Sequence, residues 1–193
     1  MTASNLQSNN SAAPTVVIVP GLRGHVPAHW QTHLQAQLPN AVSMAPLQRD
    51  RLSCSAQVQA LEETLSRVMG PVILVAHSGA VITVAHWAQQ YRRPIHGALL
   101  AAPAYFEAPL PEGYPSGAVL LENGWLPIPR TPLPFPSVAA VSDNDPLGNK
   151  DDVIAMARAW GSRIVEIGAV GHLNPASGFG VWPQAMPLIR SLY

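Results

Sequence analysis

Ser78 sits in the stretch VILVAHSGAVITVAHW, Val72 to Trp87, where an apolar run stops and small residues at helical spacing begin. Farther along come SDNDP, Ser142 to Pro146, with two carboxylates, and GAVGHLN, Gly168 to Asn174, with one imidazole. These residue types suit one chemistry. A serine hydroxyl is a poor nucleophile until a base takes its proton, and the base needs an acid that orients it and stabilises the imidazolium. Ser78, Asp143 or Asp145, and His172 supply the three groups in the chain order serine, acid, histidine. The chemistry they would carry is acyl transfer through a covalent intermediate.

Each group needs a backbone that presents it. The run before Ser78 reads as a buried strand and the residues after it as a helix, which puts the hydroxyl on a strand-turn-helix elbow. Such an elbow tolerates only tiny neighbours two positions away, here Ala76 and Ala80. The common form is G-x-S-x-G, and AHSGA replaces both glycines with the next smallest residue. Asp143 and Asp145 are two residues apart and point in similar directions, so periodicity does not choose between them. Asp145 lies farther along the loop, toward the site, and both also suit Asx turns beside Pro146. Of seven histidines, His172 follows the last apolar strand in a glycine-flanked loop. His77 adjoins Ser78, but neighbours at a sharp elbow diverge, and it reads as a packing residue; His86, His96 and Trp87 read as structural too. The transition state of acyl transfer also needs two fixed N–H donors for the developing oxyanion. Gly79, directly after the serine, supplies one, and Leu22 in PGLRGHVPAHW, Pro20 to Trp30, is the choice for the other.

That glycine-bearing segment matches neither G-x-x-x-x-G-K nor G-x-G-x-x-G and is no phosphate loop. A rival centre is a metal site, because His25, His29 and His33 recur every four residues and would share one face of a continuous helix. Gly24 and Pro27 make His25 a loop residue, and no acidic ligand accompanies the set. Neither a metal nor an organic cofactor is therefore expected.

The elements that must position these residues alternate. Apolar runs at Thr15 to Val19, Ala41 to Ala45, Pro71 to Ala76, Gly97 to Ala102, Ser137 to Val141 and Arg163 to Ile167 read as strands. Between and after them, His29 to Leu38, Ser55 to Met69, Gly79 to Tyr91, Lys150 to Trp160 and Trp182 to Leu192 carry apolar residues three or four apart and read as helices. The alternation predicts an α/β fold of three layers, a six-stranded, mostly parallel sheet with helices on both faces. In such a sheet, sites gather at the carboxyl ends of the strands. Residues 102–136 break the alternation, with nine of the twenty prolines and no sustained period. Long excursions of this kind are usually covers or disordered segments. With Tyr105, Phe106, Trp125 and Phe135 in it, this one reads as a cover over the site, with Phe106 and Trp125 toward the substrate.

Composition bounds the rest. A chain of 193 residues fits one domain, residues 15–193, behind a polar leader at 1–14 that lacks the basic start and apolar core of a signal peptide. Hydrophobic residues at 48% and zero net charge exclude a disordered chain and offer no electrostatic footprint for nucleic acid. No apolar run approaches the roughly 18 residues of a membrane-spanning helix, so no membrane partner is expected. Charged residues are only 11%, which leaves apolar surface for a small-molecule substrate or another subunit; the oligomeric state stays open. The single cysteine, Cys54, cannot make an internal disulfide and favours a reducing, cytoplasmic setting, with the thiol structural.

Together, VPGLRGHVPAHWQ, AHSGA, SDNDP and GHLNPASGFGVWP resemble the small serine hydrolases of the retinoblastoma-binding protein 9 and YdeN type, over Val16 to the C-terminus. The resemblance implies a compact α/β-hydrolase fold without the first strands of larger members, in strand order 2-1-3-4-5-6. It implies Ser78 as nucleophile, His172 as base and Asp145, not Asp143, as acid. It also implies that His29 and Trp30 line or buttress the pocket. The family tends to carry a small polar residue where this chain has His25, so contact of that loop with substrate would differ. The implied activity is hydrolysis of small carboxylic esters through an acyl-enzyme, and the same triad would serve an amide. The alternative is a catalytically idle hydrolase scaffold that binds a protein partner.

Overall fold

Four of the apolar runs are shielded from water on both faces, as strands in the middle of a two-sided sheet must be. The computed structural model describes residues 13–193, so residues 1–12 of the expected leader lie outside the described residues. The strands are β1 (Thr15–Val19), β2 (Ala41–Ser43), β3 (Val72–His77), β4 (Gly97–Ala101), β5 (Ser137–Val141) and β6 (Arg163–Glu166). They form a sheet in the order β2-β1-β3-β4-β5-β6. Every neighbouring pair is parallel, so the sheet is wholly and not mostly parallel. Residues of β3, β4 and β5 are buried throughout, whereas the edge strands β2 and β6 keep exposed positions. β2 is also shorter than the run Ala41 to Ala45 that reads as its strand.

The helices are α1 (Trp30–Gln37), α2 (Cys54–Ser66), α3 (Gly79–Gln90), α4 (Gly117–Glu122), α5 (Lys150–Ala159) and α6 (Ala185–Arg190). Alternate strand residues divide them into two layers. Val17, Leu74, Ala76 and Leu100 face α2 and α3, while Ile18, Ile73, Val75 and Leu99 face Trp30 and Leu34 of α1 and Ile189 of α6. Ala139 and Val141 of β5 meet Val153 and Ala157 of α5. Side chains define the starts. Ser53 Oγ accepts from Ala56 N at the head of α2, and Asn149 accepts from Asp151 N at the head of α5. The last helix begins at Ala185, not Trp182, because a proline is tolerated only in a first helical turn and Pro187 sits there.

The excursion differs from its sequence reading in two respects. It contains α4, a six-residue helix capped by Ser116, too short to show a helical period. Most of the segment does not cover a site; Leu120, Trp125, Ile128 and Phe135 complete the core outside α2 and α3. Trp125 is fully buried, and its Nε1–H donates to the Leu52 carbonyl at 2.6 Å. Among the described residues no helix is long and apolar enough to cross a membrane.

Candidate active site

At the carboxyl end of β3 the chain turns directly into α3, and Ser78 occupies the corner. Its backbone, at φ 61° and ψ −131°, lies where a residue with a Cβ is strained. A serine at a helix N-cap ordinarily turns its oxygen onto the first free N–H groups. Ser78 makes no such bond, because the strained corner swings the hydroxyl out of the helix axis. The strain is held by surroundings that leave no slack: Ala76 and Ala80 are buried on either side, and Ser78 N–H donates to Ala101 O across the sheet at 3.1 Å.

The freed hydroxyl lies 2.7 Å from His172 Nε2. On the other side of the ring, Nδ1 is 2.8 Å from Asp145 Oδ2 and 2.9 Å from Oδ1. A carboxylate only accepts, so Nδ1 carries the hydrogen; in the neutral imidazole Nε2 is then the acceptor, and Ser78 Oγ–H donates to it. His172 and Asp145 are nearly closed off from water, their side chains 5% and 4% exposed.

Two loops far apart in sequence make this meeting possible. After β5, Asp145 is oriented by Leu147 N–H, which donates to its Oδ1 at 2.8 Å. Asn144 reaches across to the loop after β6 and accepts Gly171 N–H at 2.7 Å. In that second loop Ser177 Oγ accepts His172 N–H at 3.0 Å, and Asn174 holds Ser177 in turn. Gly171 at φ 58° is required here, because a Cβ would lie 2.5 Å from Ser177 Oγ. Asp143 faces outward. Its carboxylate pairs with Lys150, which it shares with Glu166, and its side chain is 42% exposed. Lys150 is accordingly held above the ordinary lysine range by these two carboxylates.

The two residues singled out for an oxyanion meet through the Leu22 side chain, which packs against Gly79. A Cβ on Gly79 would lie 3.0 Å from Leu22 Cγ and 3.0 Å from Phe106 Cζ, so the loop after β1 closes directly over the start of α3. Gly79 N–H, at the first position of its helix, has no acceptor within that helix.

A cavity of about 370 Å³ opens over Ser78 and His172. Leu22, Val26, Phe106, Leu110, Tyr114 and Leu147 give it a mostly apolar wall, with His29 on the same lining. Of the residues expected to touch a substrate, Phe106 and His29 therefore border this space. Trp125 does not; it stands behind Phe106, edge-on to its ring. Trp30 is also withdrawn, buried under Trp182 and His77 with its Nε1 unpartnered. The length of an indole lets it fill core behind a lining residue, which spacing in the sequence does not distinguish from facing the cavity. His25 borders a neighbouring cavity and contacts the Ser43 hydroxyl.

Three imidazoles form a row beneath the site. His29 and His77 have ring centres 4.7 Å apart, and His77 and His172 are 4.8 Å apart. His77 Nε2–H donates to the His172 carbonyl at 2.8 Å. Burial, reinforced by the His172 and His29 rings, holds His77 well below the usual histidine range. Burial chiefly, with His172, His25 and His33 nearby, lowers His29 to about 4. Cys54 is buried and its thiol is pushed up to about 12 by that burial, so it is an inert core group.

The three histidines at four-residue spacing do not converge. His25 turns to Ser43, His29 to the cavity, and His33 toward Gly180. Among the described residues no group of three or more His, Cys, Asp or Glu side chains is arranged to hold a metal ion. Sequence reasoning missed Gln31, whose buried amide donates to Val19 O and Val75 O and ties the ends of β1 and β3 together below the cavity. It also missed Asn144, whose side chain reads as a turn former within SDNDP.

A parallel sheet of this order, with a strained serine at the corner after its third strand, defines the α/β-hydrolase class. The serine hydrolase family model matches residues 16–191, and the chain belongs to that family. A YdeN-like hydrolase from Pectobacterium atrosepticum is similar to it, with 30% identity and a TM-score of 0.76 over 92% of this chain and 91% of that one. The ydeN gene product of B. subtilis shares 18% identity and a TM-score of 0.67 over 93% of this chain and 98% of that one. Est1E from Butyrivibrio proteoclasticus has the same fold at 13% identity, with a TM-score of 0.67 over 95% of this chain and 87% of that one. No curated protein matches the chain in sequence.

Proposed function

We propose that this serine hydrolase cleaves small carboxylic esters, with Ser78 as nucleophile, His172 as general base and acid, and Asp145 as the orienting carboxylate. The observation that carries the reading is the unbroken relay from Ser78 Oγ through His172 to Asp145, at 2.7 Å and 2.8 Å. His172 takes the hydroxyl proton as Oγ attacks the ester carbonyl, and the negative charge that develops on the carbonyl oxygen is met by the N–H groups of Leu22 and Gly79. Asp145 stabilises the imidazolium without itself becoming protonated. The imidazolium then protonates the departing alcohol, which leaves an acyl group on Ser78. Water, deprotonated by the same histidine, releases the acid and restores the serine. None of these steps calls for a cofactor. The mostly apolar lining of the cavity suits a compact acyl or alcohol group.

A fluorophosphonate probe tests the assignment. The label is expected on Ser78, and Ser78→Ala is expected to remove both labelling and turnover of a short-chain aryl ester. An adduct on another serine, or an unlabelled but correctly folded wild type, overturns the proposal; the second result favours the idle binding scaffold.

A further inference from the structure

The loop after β1 borders two cavities. Gly21, Leu22, Arg23 and Gly24 line both the space over Ser78 and a second one of about 250 Å³, so the two adjoin at this loop. Their characters differ. The first is mostly apolar, whereas the second adds Arg51 to the Arg23 that both share, and no carboxylate lines either among the described residues.

Both arginines are held without being neutralised. Arg51 Nε–H donates to the Leu47 carbonyl at 3.0 Å, and the buried amide of Gln57 donates to the Arg51 carbonyl at 2.8 Å, which fastens this loop to α2. The Arg23 guanidinium lies over the Tyr114 ring, 4.8 Å from its centre. Among the described residues the ion pairs use other cations, Arg130, Lys150 and His172. Asp50, next to Arg51, is exposed and absent from the lining of the cavity. Arg51 thus borders the second space and Arg23, stacked on Tyr114 of the first, stands at the wall between them; both are exposed, each has one fixing contact, and neither has a carboxylate partner among the described residues. A guanidinium fork fits a carboxylate in two-point hydrogen bonding, and pre-positioning lowers the entropy lost on forming that contact.

We infer that the second cavity is a subsite for an anionic group, a carboxylate carried by the half of the ester that lies away from the apolar cavity. This rests on the ester-hydrolysis reading. The substrate class it defines is an ester with one compact apolar half and one acidic half, bridged at the carbonyl beside Ser78.

The test compares kcat/KM for three esters: phenyl butanoate, its meta-carboxyphenyl analogue, with the charge on the leaving group, and phenyl hemiadipate, with the charge on the acyl group. Each rate is divided by that of hydroxide hydrolysis of the same ester. One of the acidic esters is expected to exceed the neutral one by about tenfold at low ionic strength, and salt should shrink the ratio because the attraction is screened. Arg51→Gln is expected to bring the ratio close to one, and Arg51→Lys to keep part of it, since the charge remains while the fork is lost. Hydrolysis of all three esters at equal corrected rates, or a preference untouched in Arg51→Gln, overturns the subsite and leaves the Ser78 chemistry standing. Failure to hydrolyse any of them, with no label on Ser78, overturns the reading beneath it as well.

Discussion

Replacing Asp145 by asparagine separates orientation of the base from everything else at the site. Both carboxylate oxygens now lie within 2.9 Å of His172 Nδ1, and they force the tautomer that leaves Nε2 free to accept the serine proton. An amide offers an N–H₂ group in place of one oxygen, so Nδ1 becomes an acceptor and the hydrogen moves to Nε2. The ring then faces Ser78 with a donor where an acceptor is needed. The same exchange in a serine protease triad lowers kcat by about 10⁴ with the geometry intact, which corresponds to about 5 kcal/mol of transition-state stabilisation. For Asp145→Asn the expected loss in kcat is about 10³- to 10⁴-fold, with KM changed little, measured by steady-state hydrolysis of a short-chain aryl ester. Asp143→Asn is the matched control. Its carboxylate is on the surface with Lys150, and exposed ion pairs contribute roughly 0–1 kcal/mol, so activity should stay within about threefold of wild type. Asp145→Asn retaining more than about a tenth of wild-type kcat, or Asp143→Asn losing as much as Asp145→Asn, refutes the reasoning.

Two further outcomes follow from the supports of the site. Gly171→Ala puts a methyl group 2.5 Å from Ser177 Oγ in a backbone conformation that disfavours a side chain, so Ser177 must release His172 N–H; kcat should fall at least about tenfold with a melting temperature lower by a few degrees, and wild-type kcat would contradict the role given to that loop. Stability should fall as the solution is acidified from about pH 6.5 toward pH 4, because His29, at about 4 when folded, takes up its proton near 6.5 once unfolded. The unfolded chain binds more protons across that window, so acid favours it; His29 alone is worth about 2 kcal/mol at pH 5, or a melting temperature lower by roughly 4–8 °C than at neutral pH. His77, also held low, adds to the same slope. A thermal midpoint unchanged between pH 7.5 and pH 5 rules out this account, and His29→Gln should flatten the profile in part.

Much of the architecture was open to reading from one dimension. Strands β1 and β5 match their apolar runs residue for residue, and Ser78, Asp145 and His172 meet as their order along the chain implies. A continuously apolar run of five or six residues can be satisfied only between two layers, and chain order with strand ends then limits where the loops emerge. What stayed hidden is local in space and not in sequence. Spacing alone did not separate Asp143 from Asp145, which only the resemblance did, because the choice depends on which loop wall each side chain meets, Lys150 or His172. The retreat of Trp30 and Trp125 behind His77 and Phe106 depends on the room left by neighbouring helices. The bond from Asn144 to Gly171 joins residues 27 positions apart and exists only once β5 and β6 lie side by side. Composition and periodicity determined the layers and the corner that presents the serine, because burial acts on every residue of an element alike. Which polar side chain faces which was decided by tertiary packing, because a hydrogen bond is a matter of a few ångströms between atoms that the sequence sets far apart.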